Sequence, residues 1–270
     1  EGEKIVTKTP ETLAEALATN DSKQWELAMA DELESLAKNE VWELVELPAN
    51  RRPIQNKWIF KIKTNPDGSI NKYKARLVIK GCSQKAGIDY AETFSPVARF
   101  ESVRVLLAIA AAKDYELFQI DVKTAFLYSE LKEEIYMVQP DGFDDGSGRV
   151  CKLNKSLYGL KQAPLVFHEK MDGVLKEFGM NPTRFDRCVY ASDNNELYFA
   201  LYVDDGLVIG SSVERVNSFI NKPKLNFEVT GDVANCMQIV RDRGTKTLHL
   251  KQTAEHLVRN PVHHRRTKHI

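Results

Sequence analysis

The sequence predicts an α+β fold in which antiparallel strands pack against helices, and three observations support this prediction. Apolar residues recur at helical spacing over 22–38, over 101–113 and in the latter part of 159–179. Apolar and polar residues alternate in short runs that flank turn sequences at 65–69 and 192–195, a pattern typical of β-hairpins. The 270 residues are 43% hydrophobic and 28% charged, as in ordinary globular proteins of one or two domains with a sizeable core.

The first part of the chain is predicted to form a helix, a strand and a hairpin. Asp21-Ser22 offers an N-cap for an amphipathic helix, and 41–47 then alternates like a strand. Two longer alternating runs, 54–64 and 72–81, flank Asn65-Pro66-Asp67-Gly68-Ser69. Because this sequence has the chemistry of a tight turn, the two runs predict a β-hairpin.

The remaining elements follow from the same patterns. Leu117 to Ile120 is predicted to be a buried strand that delivers Asp121, after which Val122 to Leu127 turns helical. A long helix is predicted to end at a C-terminal cap formed by Gly179. Further strands are predicted at 134–138, 150–153, 188–191, 197–203, 226–230, 236–241 and 248–251, with a helix at 213–221.

Charge is segregated along the chain although 38 basic residues balance 38 acidic ones. Residues 1–48 hold twelve acids and four bases, whereas residues 51–80 hold nine bases and one acid. Seven cations of the predicted hairpin fall largely at alternate positions and so project mostly from one face, namely Lys57, Lys61, Lys63, Lys72, Lys74, Arg76 and Lys80. This face is either a solvated or aggregation-resistant edge or a surface that contacts phosphates.

Three acidic residues stand at the ends of apolar runs. Asp204-Asp205 interrupts two apolar strands, and Asp121 ends another. The pair could be ordinary turn chemistry and Asp121 a helix N-cap. Two like charges held near a core need a counter-ion, however, and Mg²⁺ prefers carboxylate and phosphate oxygens. If strands 117–121 and 197–203 are neighbours, Asp121 and Asp204 leave the same sheet edge and could hold two metals about 3.5 to 4 Å apart.

Several other classes of protein are disfavoured. Cys82, Cys151, Cys188 and Cys236 are widely spaced, which argues against a zinc site or a disulfide framework and for an intracellular, reducing compartment. The longest apolar run, 105–112, is far shorter than the about 20 residues of a membrane span, and no cationic signal-peptide start is seen. The basic residues of 259–270 predict a loose tail, with a histidine-rich metal site as the alternative.

Seven segments together resemble the reverse transcriptase of copia-type (Pseudoviridae) LTR retrotransposons, from about Thr9 to about Thr253. The segments are 25–47, Asn56-Lys57-Trp58-Ile59-Phe60-Lys61, Tyr73-Lys74-Ala75-Arg76-Leu77-Val78, Tyr90-Ala91-Glu92-Thr93-Phe94-Ser95-Pro96-Val97, Gln119-Ile120-Asp121-Val122-Lys123-Thr124-Ala125-Phe126-Leu127, 153–164 and Tyr202-Val203-Asp204-Asp205. The resemblance implies a right-hand polymerase with fingers and palm, an antiparallel palm sheet with packed helices, and a thumb that is largely absent. It also implies an N-terminal extension at 1–20, fingers and palm over 21–253, and a divergent tail at 254–270.

The resemblance assigns roles to individual residues. Asp121, Asp204 and Asp205 match the catalytic triad that binds two Mg²⁺ ions, with Mn²⁺ as a substitute. Lys74 and Arg76 resemble the cations that contact the nucleotide triphosphate, with Lys61 and Lys63 as helpers. Phe126 matches the aromatic residue that crowds the ribose 2′ carbon, although an apolar face on a short helix is also ordinary core. The loop that floors the nucleotide pocket is matched by Tyr158, Gly159, Lys161 and Gln162.

The implied partners are an RNA or DNA template–primer and deoxynucleoside triphosphates, without a membrane. Copia-type elements encode one polyprotein with gag, protease, integrase, reverse transcriptase and RNase H, and this chain matches only the polymerase piece, so integrase and RNase H are absent from it. Phosphoryl transfer needs positioning and charge neutralisation more than a covalent group, which agrees with acids beside a cationic hairpin.

The chain departs from the family pattern at two places. Leu165, Val166 and Phe167 stand where a basic residue and a tryptophan are usual, and the Phe-Leu-Gly expected before Met237 is missing, which removes part of a primer-gripping hairpin. A truncated, catalytically inactive remnant that still binds nucleic acid is therefore the alternative function. A nucleotide cyclase is a third hypothesis. It is disfavoured because the chain lacks the Gly-Gly-Asp/Glu-Glu-Phe loop of that class.

Overall fold

The computed structural model of the chain describes residues 8–65, 67–222, 227–231 and 238–251. Its helices are α1 (Leu13–Ala18), α2 (Ser22–Lys38), α3 (Phe100–Lys113), α4 (Ala163–Glu177) and α5 (Val213–Asn221), with short 3-10 helices at Gly81–Ser83 and Ala125–Tyr128. The first strands are β1 (Trp42–Val45), β2 (Asn56–Thr64), β3 (Ile70–Ile79), β4 (Glu116–Val122), β5 (Glu130–Met137) and β6 (Val150–Lys155). They are followed by β7 (Met180–Pro182), β8 (Val189–Ser192), β9 (Leu197–Tyr202), β10 (Asp205–Gly210), β11 (Val229–Gly231), β12 (Gln238–Asp242) and β13 (Thr247–Lys251).

The chain folds into two compact units, each built from two stretches of sequence. Unit 1 comprises Glu1–Ser95 and Thr124–Met171, and unit 2 comprises Pro96–Lys123 and Asp172–Ile270. All strand pairs between the named strands are antiparallel. The α+β prediction is therefore confirmed at the level of mixed helices and antiparallel sheets.

Unit 1 contains the β2–β3 hairpin and a three-stranded sheet in the order β1-β6-β5. Helix α2 packs on the hairpin through Trp25, whose ring lies edge-on to Phe60 at 5.2 Å and to Tyr73 at 4.7 Å. The predicted helix is confirmed with Asp21 at its N-cap position, although the Asp21 side chain makes no cap hydrogen bond.

Unit 2 is built on a six-stranded sheet in the order β11-β4-β10-β9-β8-β7. Leu106 and Ala110 of α3 pack against Val189, Ala200 and Ile209, so the apolar stripe of this helix covers the middle of the sheet. None of the helices in the described ranges is long and apolar enough to cross a membrane.

The β12–β13 hairpin is fixed to the C-terminal end of α3 by Arg241. Its Nη1 donates a hydrogen bond of 2.6 Å to the carbonyl oxygen of Tyr115, and Nη2 lies 2.5 Å from Oδ1 of Asp114. A cation at a helix C-terminus is stabilised by the helix dipole and by carbonyls that lack helical partners.

Several predicted elements differ from the structure, and the strand predicted at 226–230 begins at Val229 as β11. The strand that carries Asp121 continues through Val122, and only a 3-10 turn at Ala125–Tyr128 follows, so the predicted helix at 122–127 is wrong. Strand β5 begins at Glu130, four residues earlier than the prediction for 134–138. The predicted basic tail and the missing tripeptide before Met237 fall outside the described residues.

Candidate active site

Asp121 and Asp205 face each other across two paired strands of unit 2. In the register between β4 and β10, Asp205 lies directly opposite Asp121, and in the register between β10 and β9 it lies opposite Tyr202. Residues directly opposite in an antiparallel pair share one face of the sheet, with Cβ atoms about 5 Å apart. Asp121, Asp205 and Tyr202 therefore form a row, which we call the carboxylate edge together with Asp204.

The predicted neighbourhood of strands was wrong, although the strand register does bring aspartates to one edge of the sheet. Strand β10 lies between β4 and β9, so the two strands that the sequence argument paired are not adjacent. As a result Asp205, and not Asp204, is the register partner of Asp121. Asp204 occupies the turn, and its carbonyl oxygen accepts a hydrogen bond of 2.9 Å from the backbone N–H of Val122, which holds the turn against β4.

The turn between β9 and β10 contains two residues, Val203 and Asp204. Val203 has a φ of 58°, in the left-handed region that β-branched residues rarely enter. Two-residue hairpin turns favour positive φ because their twist then matches that of the strands. Strained residues of this kind cost about 1 to 3 kcal/mol and often occur at functional sites. The strain lies directly beside Asp204.

Gly206 allows the strand that carries the acidic pair to pack closely on the core. A Cβ atom at this position would lie 2.4 Å from Cε2 of Phe199 and 2.9 Å from Cγ1 of Ile120. Further along the strand, Val208 and Ile209 are fully buried. The backbone that carries Asp205 is thus pressed onto apolar side chains, while Asp204 and Asp205 remain half-buried and Asp121 is exposed.

The carboxylate edge has the donor chemistry of a site for a hard divalent cation. Carboxylate oxygens are the ligands that Mg²⁺ prefers, and those of Asp121 and Asp205 share one row. Over the described ranges, however, no group of three or more His, Cys, Asp or Glu side chains is arranged as a metal centre. The residue types and the strand register suit a divalent cation. In the described ranges, however, the three carboxylates are not arranged to coordinate one ion together.

An ion pair beside Asp121 was not found by sequence reasoning. Nζ of Lys123 lies 2.5 Å from Oε1 of Glu228, and the N–H of Lys123 donates a hydrogen bond of 2.9 Å to the carbonyl oxygen of Glu228. Both side chains are roughly half exposed, so the ion pair itself contributes little to stability. The contact ties β4 to the segment that leads into β11, whose Thr230 is the register partner of Asp121.

The cationic face predicted for the β2–β3 hairpin of unit 1 is confirmed by the strand register. Lys61 lies opposite Lys74, Lys63 lies opposite Lys72, and Arg76 lies opposite Ile59. Because directly opposed residues share a face, these five cations point the same way, together with Lys57. Like charges in opposed positions repel each other across a hairpin, so an anion bound to this face would be stabilising.

The opposite face of the hairpin is core, and α2 covers the edge of β3. Trp58, Phe60 and Leu77 are buried. Oε1 of Glu32 in α2 accepts a hydrogen bond of 3.4 Å from the N–H of Leu77. Burial raises the pKa of Glu32 above its ordinary value, and the hydrogen bond and the charges of Lys74 and Arg76 offset this in part.

The predicted aromatic residue Phe126 lies in a column of aromatic side chains in unit 1. Its ring is 4.7 Å from the ring of Tyr158 and 6.2 Å from that of Phe167, both in edge-to-face geometry. The guanidinium carbon of Arg76 lies 4.8 Å from the centre of the Tyr158 ring. Arg76, Tyr158 and Phe126 were predicted separately from the sequence, and the structure joins them through contacts worth about 1 kcal/mol each.

The loop that begins at Tyr158 packs closely on the end of β3. The carbonyl oxygen of Tyr158 accepts a hydrogen bond of 2.9 Å from the N–H of Ile79. Gly159 has a φ of 99°, and a Cβ there would lie 2.1 Å from the carbonyl oxygen of Ile79. A Cβ at Gly81 would lie 2.0 Å from the carbonyl oxygen of Gly159. Only glycine fits at either position.

The same loop is also held by Gln84, Asp89 and Tyr90, which were not predicted as site residues. Gln162 is buried, donates 2.9 Å to the carbonyl oxygen of Asp89 and accepts 3.0 Å from Nε2 of Gln84. The backbone N–H of Lys161 donates 2.8 Å to Oε1 of Gln84, and its Nζ lies 4.7 Å from the centre of the Tyr90 ring. Gln162 therefore braces the loop from inside, and any influence on a ligand would act through loop position.

The predicted site residues fall into two groups. Asp121, Asp204 and Asp205 belong to unit 2, where the strand register brings them to one edge. All the predicted nucleotide-binding residues belong to unit 1, on the hairpin, in the aromatic column and in the braced loop: Lys61, Lys63, Lys74, Arg76, Phe126, Tyr158, Gly159, Lys161 and Gln162.

Comparison with known proteins gives a match over most of the chain. Residues 39–260 match the family described as "Reverse transcriptase (RNA-dependent DNA polymerase)". The chain is 45% identical over 258 residues to the "Retrovirus-related Pol polyprotein from transposon TNT 1-94" of Nicotiana tabacum, a match that covers 91% of this chain and 19% of the relative.

Two further relatives extend this similarity. The Pol polyprotein from transposon RE1 of Arabidopsis thaliana is 38% identical over 225 residues, 82% of this chain and 15% of the relative. The Transposon Ty1-MR1 Gag-Pol polyprotein of Saccharomyces cerevisiae is 30% identical over 181 residues, 66% of this chain and 10% of the relative. The chain thus spans at most 19% of the length of these relatives.

Proposed function

Because the chain belongs to the reverse transcriptase (RNA-dependent DNA polymerase) family of retrotransposon Pol polyproteins, we propose that it extends a primer 3′-hydroxyl with deoxynucleotides on an RNA or DNA template. The observation that supports this proposal most is the register that sets Asp205 opposite Asp121, with Asp204 in the adjoining turn. In this proposal unit 2 contains the palm, and the β2–β3 hairpin of unit 1 is part of the fingers.

The carboxylate edge would hold two divalent cations, Mg²⁺ or Mn²⁺, through Asp121, Asp204 and Asp205. When bound, such ions lower the pKa of a hydroxyl nucleophile and neutralise charge on a leaving pyrophosphate. The protein's own share is positional, because Gly206 packs the strand on Phe199 and the backbone N–H of Val122 holds the turn. Both contacts limit movement of the carboxylates relative to each other.

The hairpin of unit 1 would bind the triphosphate of the incoming nucleotide. Lys61 lies opposite Lys74, and Lys63 lies opposite Lys72. A bound polyphosphate would reduce the repulsion between these cations. Arg76 is held over the Tyr158 ring, which restricts where its guanidinium can point. Phe126 would exclude a ribose 2′-hydroxyl through the rigidity of its stacked ring.

We further propose a reducing intracellular compartment. The structure shows Cys82, Cys151 and Cys188 as free thiols, which supports this placement.

Primer extension on poly(rA) with an oligo(dT) primer tests the proposed activity. We expect dTTP incorporation in Mg²⁺ or Mn²⁺, and a loss of about 100-fold or more in Asp204→Asn, since charge stabilisation by such groups carries a large part of catalysis. Asp193→Asn makes the same chemical change in the exposed turn between β8 and β9 and should leave extension unchanged. Absence of incorporation by the unmodified chain, beside an active relative, would refute the activity.

A catalytically inactive remnant that binds nucleic acid is the second candidate. It is favoured by one observation, namely that no group of three or more potential metal ligands is assembled within the described ranges. Under this alternative the cationic hairpin face alone accounts for binding, so an RNA–DNA hybrid would bind in a salt-dependent manner and Asp204→Asn would leave its affinity unchanged.

A further inference from the structure

A loop between β7 and β8 of unit 2 is fixed around a buried carboxylate, Asp186, which is 8% exposed. Its Oδ2 accepts hydrogen bonds of 2.9 Å from the N–H of Arg99 and 2.6 Å from Oγ of Ser102, at the N-terminus of α3. Its Oδ1 accepts a hydrogen bond of 2.9 Å from the N–H of Cys188. The loop is therefore joined to the start of α3 with its acid turned inward.

This anchoring leaves two phenylalanine rings on the surface. Phe185, the residue before Asp186, is 86% exposed, and Phe100, the residue after Arg99, is 58% exposed. The N–H of Arg99 donates a hydrogen bond to Asp186. Phe100 follows Arg99 in the chain and Phe185 precedes Asp186, so this hydrogen bond brings the two phenylalanines to the same junction. Most large aromatic side chains are substantially buried, so two exposed rings on one anchored junction indicate an interaction surface.

Four arginines lie close to these rings along the chain. Arg184 and Arg187 belong to the anchored loop, Arg99 precedes α3, and Arg104 lies one helical turn after Phe100 on the same face. All four are exposed, and none is within ion-pair distance of a carboxylate in the parts of the chain that the structure describes. Glu101 is exposed on the same helical turn, so cations still exceed acids.

We propose that this surface, the Phe–Arg patch of Arg99, Phe100, Arg104, Arg184, Phe185 and Arg187, binds a single-stranded segment of nucleic acid. Exposed rings stack on bases whose faces are accessible, which holds for an unpaired strand and not for a duplex. Guanidinium groups beside the rings contact phosphates and can also stack on bases. A purely apolar protein contact would not call for four arginines beside the rings.

The unpaired strand would be the single-stranded part of the template, and in this respect the inference rests on the proposed polymerase function. The patch belongs wholly to unit 2 and shares no residue with the carboxylate edge or with the cationic hairpin. Its contribution is retention of the template strand, separate from the reaction at the primer end.

Binding of two RNA–DNA hybrids to the full chain tests the inference. Fluorescence anisotropy without nucleotides would compare a blunt hybrid with one carrying an unpaired 5′ template extension of about 12 nucleotides, within the usual site sizes. We expect the extension to increase affinity about 10-fold, and Phe185→Leu to remove that gain while leaving the blunt hybrid unaffected. Phe185→Tyr keeps a planar ring and should retain the gain.

The arginines are tested in the same assay. Arg184→Gln combined with Arg187→Gln should weaken binding of the extended hybrid and reduce its salt dependence. Arg215→Gln is the matched control, because this exposed arginine of α5 already pairs with Glu196 at 2.7 Å, and it should change nothing.

Three results would overturn the inference: no preference of the unmodified chain for the extended hybrid, retention of the preference in Phe185→Leu, or equal weakening of both hybrids in that variant. The first would favour an apolar protein-docking surface instead, and the second would place the extension away from Phe185. Because the assay needs no catalysis, a chain that fails to extend primers still reports on the patch, so the two proposals can fail separately.

Discussion

Gly206 determines at the residue scale whether the carboxylate edge can form. The residue has no unusual φ, and glycine is required for lack of space, since a Cβ would lie within 3 Å of both Phe199 and Ile120. Asp205 precedes it in the strand, so a shift of the backbone at Gly206 would move Asp205 relative to its register partner Asp121. Packing and site geometry are therefore coupled at this position.

Gly206→Ala should lower the free energy of unfolding by about 1 to 3 kcal/mol, because overpacking forces neighbouring side chains or backbone to move. Chemical denaturation measures this change, and primer extension should decrease in the same variant. Gly173→Ala is the matched control, since a Cβ at this exposed position of α4 meets nothing within 4 Å. It should increase stability by about 1 kcal/mol through helix propensity. Equal behaviour of the two variants would contradict the packing argument.

Sequence reasoning found single residues where local context marks them and missed those that act across long separations. Asp121, Asp204 and Asp205 stand at ends of apolar runs, which is a local signal. Gln84 contacts Lys161 from 77 residues away. Its neighbours have no periodicity that points to the loop at 158–162, so nothing in one sequence indicated that Gln84 holds it.

Elements were predicted well where one face is buried, and their pairing less well. The β2–β3 hairpin follows from alternation and a strong turn sequence, and α5 has its predicted bounds Val213–Asn221. The order of β4, β10 and β9 could not be read locally, because a strand that is apolar on both faces fits beside several neighbours. The misplaced helix at 122–127 arose because three apolar residues of a 3-10 turn also satisfy helical spacing.

Helix α3 has an N-terminus capped by another element, and this gives a pH-dependent prediction. Its own N-cap residue, Arg99, makes no side-chain cap hydrogen bond, and Asp186 supplies the carboxylate instead. Burial raises the pKa of Asp186, but hydrogen bonds from Ser102, Arg99 and Cys188 and the charge of Arg99 outweigh it, so the pKa is lowered overall. A lowered pKa in the folded state means that protonation favours unfolding.

The contribution of Asp186 to stability should be fully present above its unfolded pKa of about 3.9 and be lost as the pH falls through the lower folded value. Asp186→Asn should therefore lower the free energy of unfolding by about 1 to 3 kcal/mol at neutral pH, as for hydrogen bonds to a charged group. Urea titrations from pH 7 down to pH 2 measure the difference between the two proteins. If the difference stayed constant over this range, the carboxylate charge would not be the cause.

The distribution of charge matters more than the net charge for the molecule as a whole. With 38 basic and 38 acidic residues the chain has no formal net charge, so long-range attraction to a polyanion must come from local surfaces. The β2–β3 hairpin carries such a surface, where Lys61 lies opposite Lys74 and Lys63 lies opposite Lys72. Asp31 and Glu32 of α2 contact this hairpin, with Asp31 paired to Lys72 at 3.5 Å.

This distribution predicts the salt dependence of binding to a blunt RNA–DNA hybrid. Each phosphate contact contributes about 0.9 to the slope of log affinity against log salt concentration, so Lys61→Gln, Lys63→Gln and Lys74→Gln together should reduce the slope by up to about 3. Lys23→Gln, Lys38→Gln and Lys132→Gln remove the same charge from exposed positions elsewhere in unit 1 and serve as the control. Anisotropy titrations at several salt concentrations give both slopes. Since both triple variants have the same net charge, equal slopes would mean that overall charge governs binding, and a difference would assign it to the hairpin face.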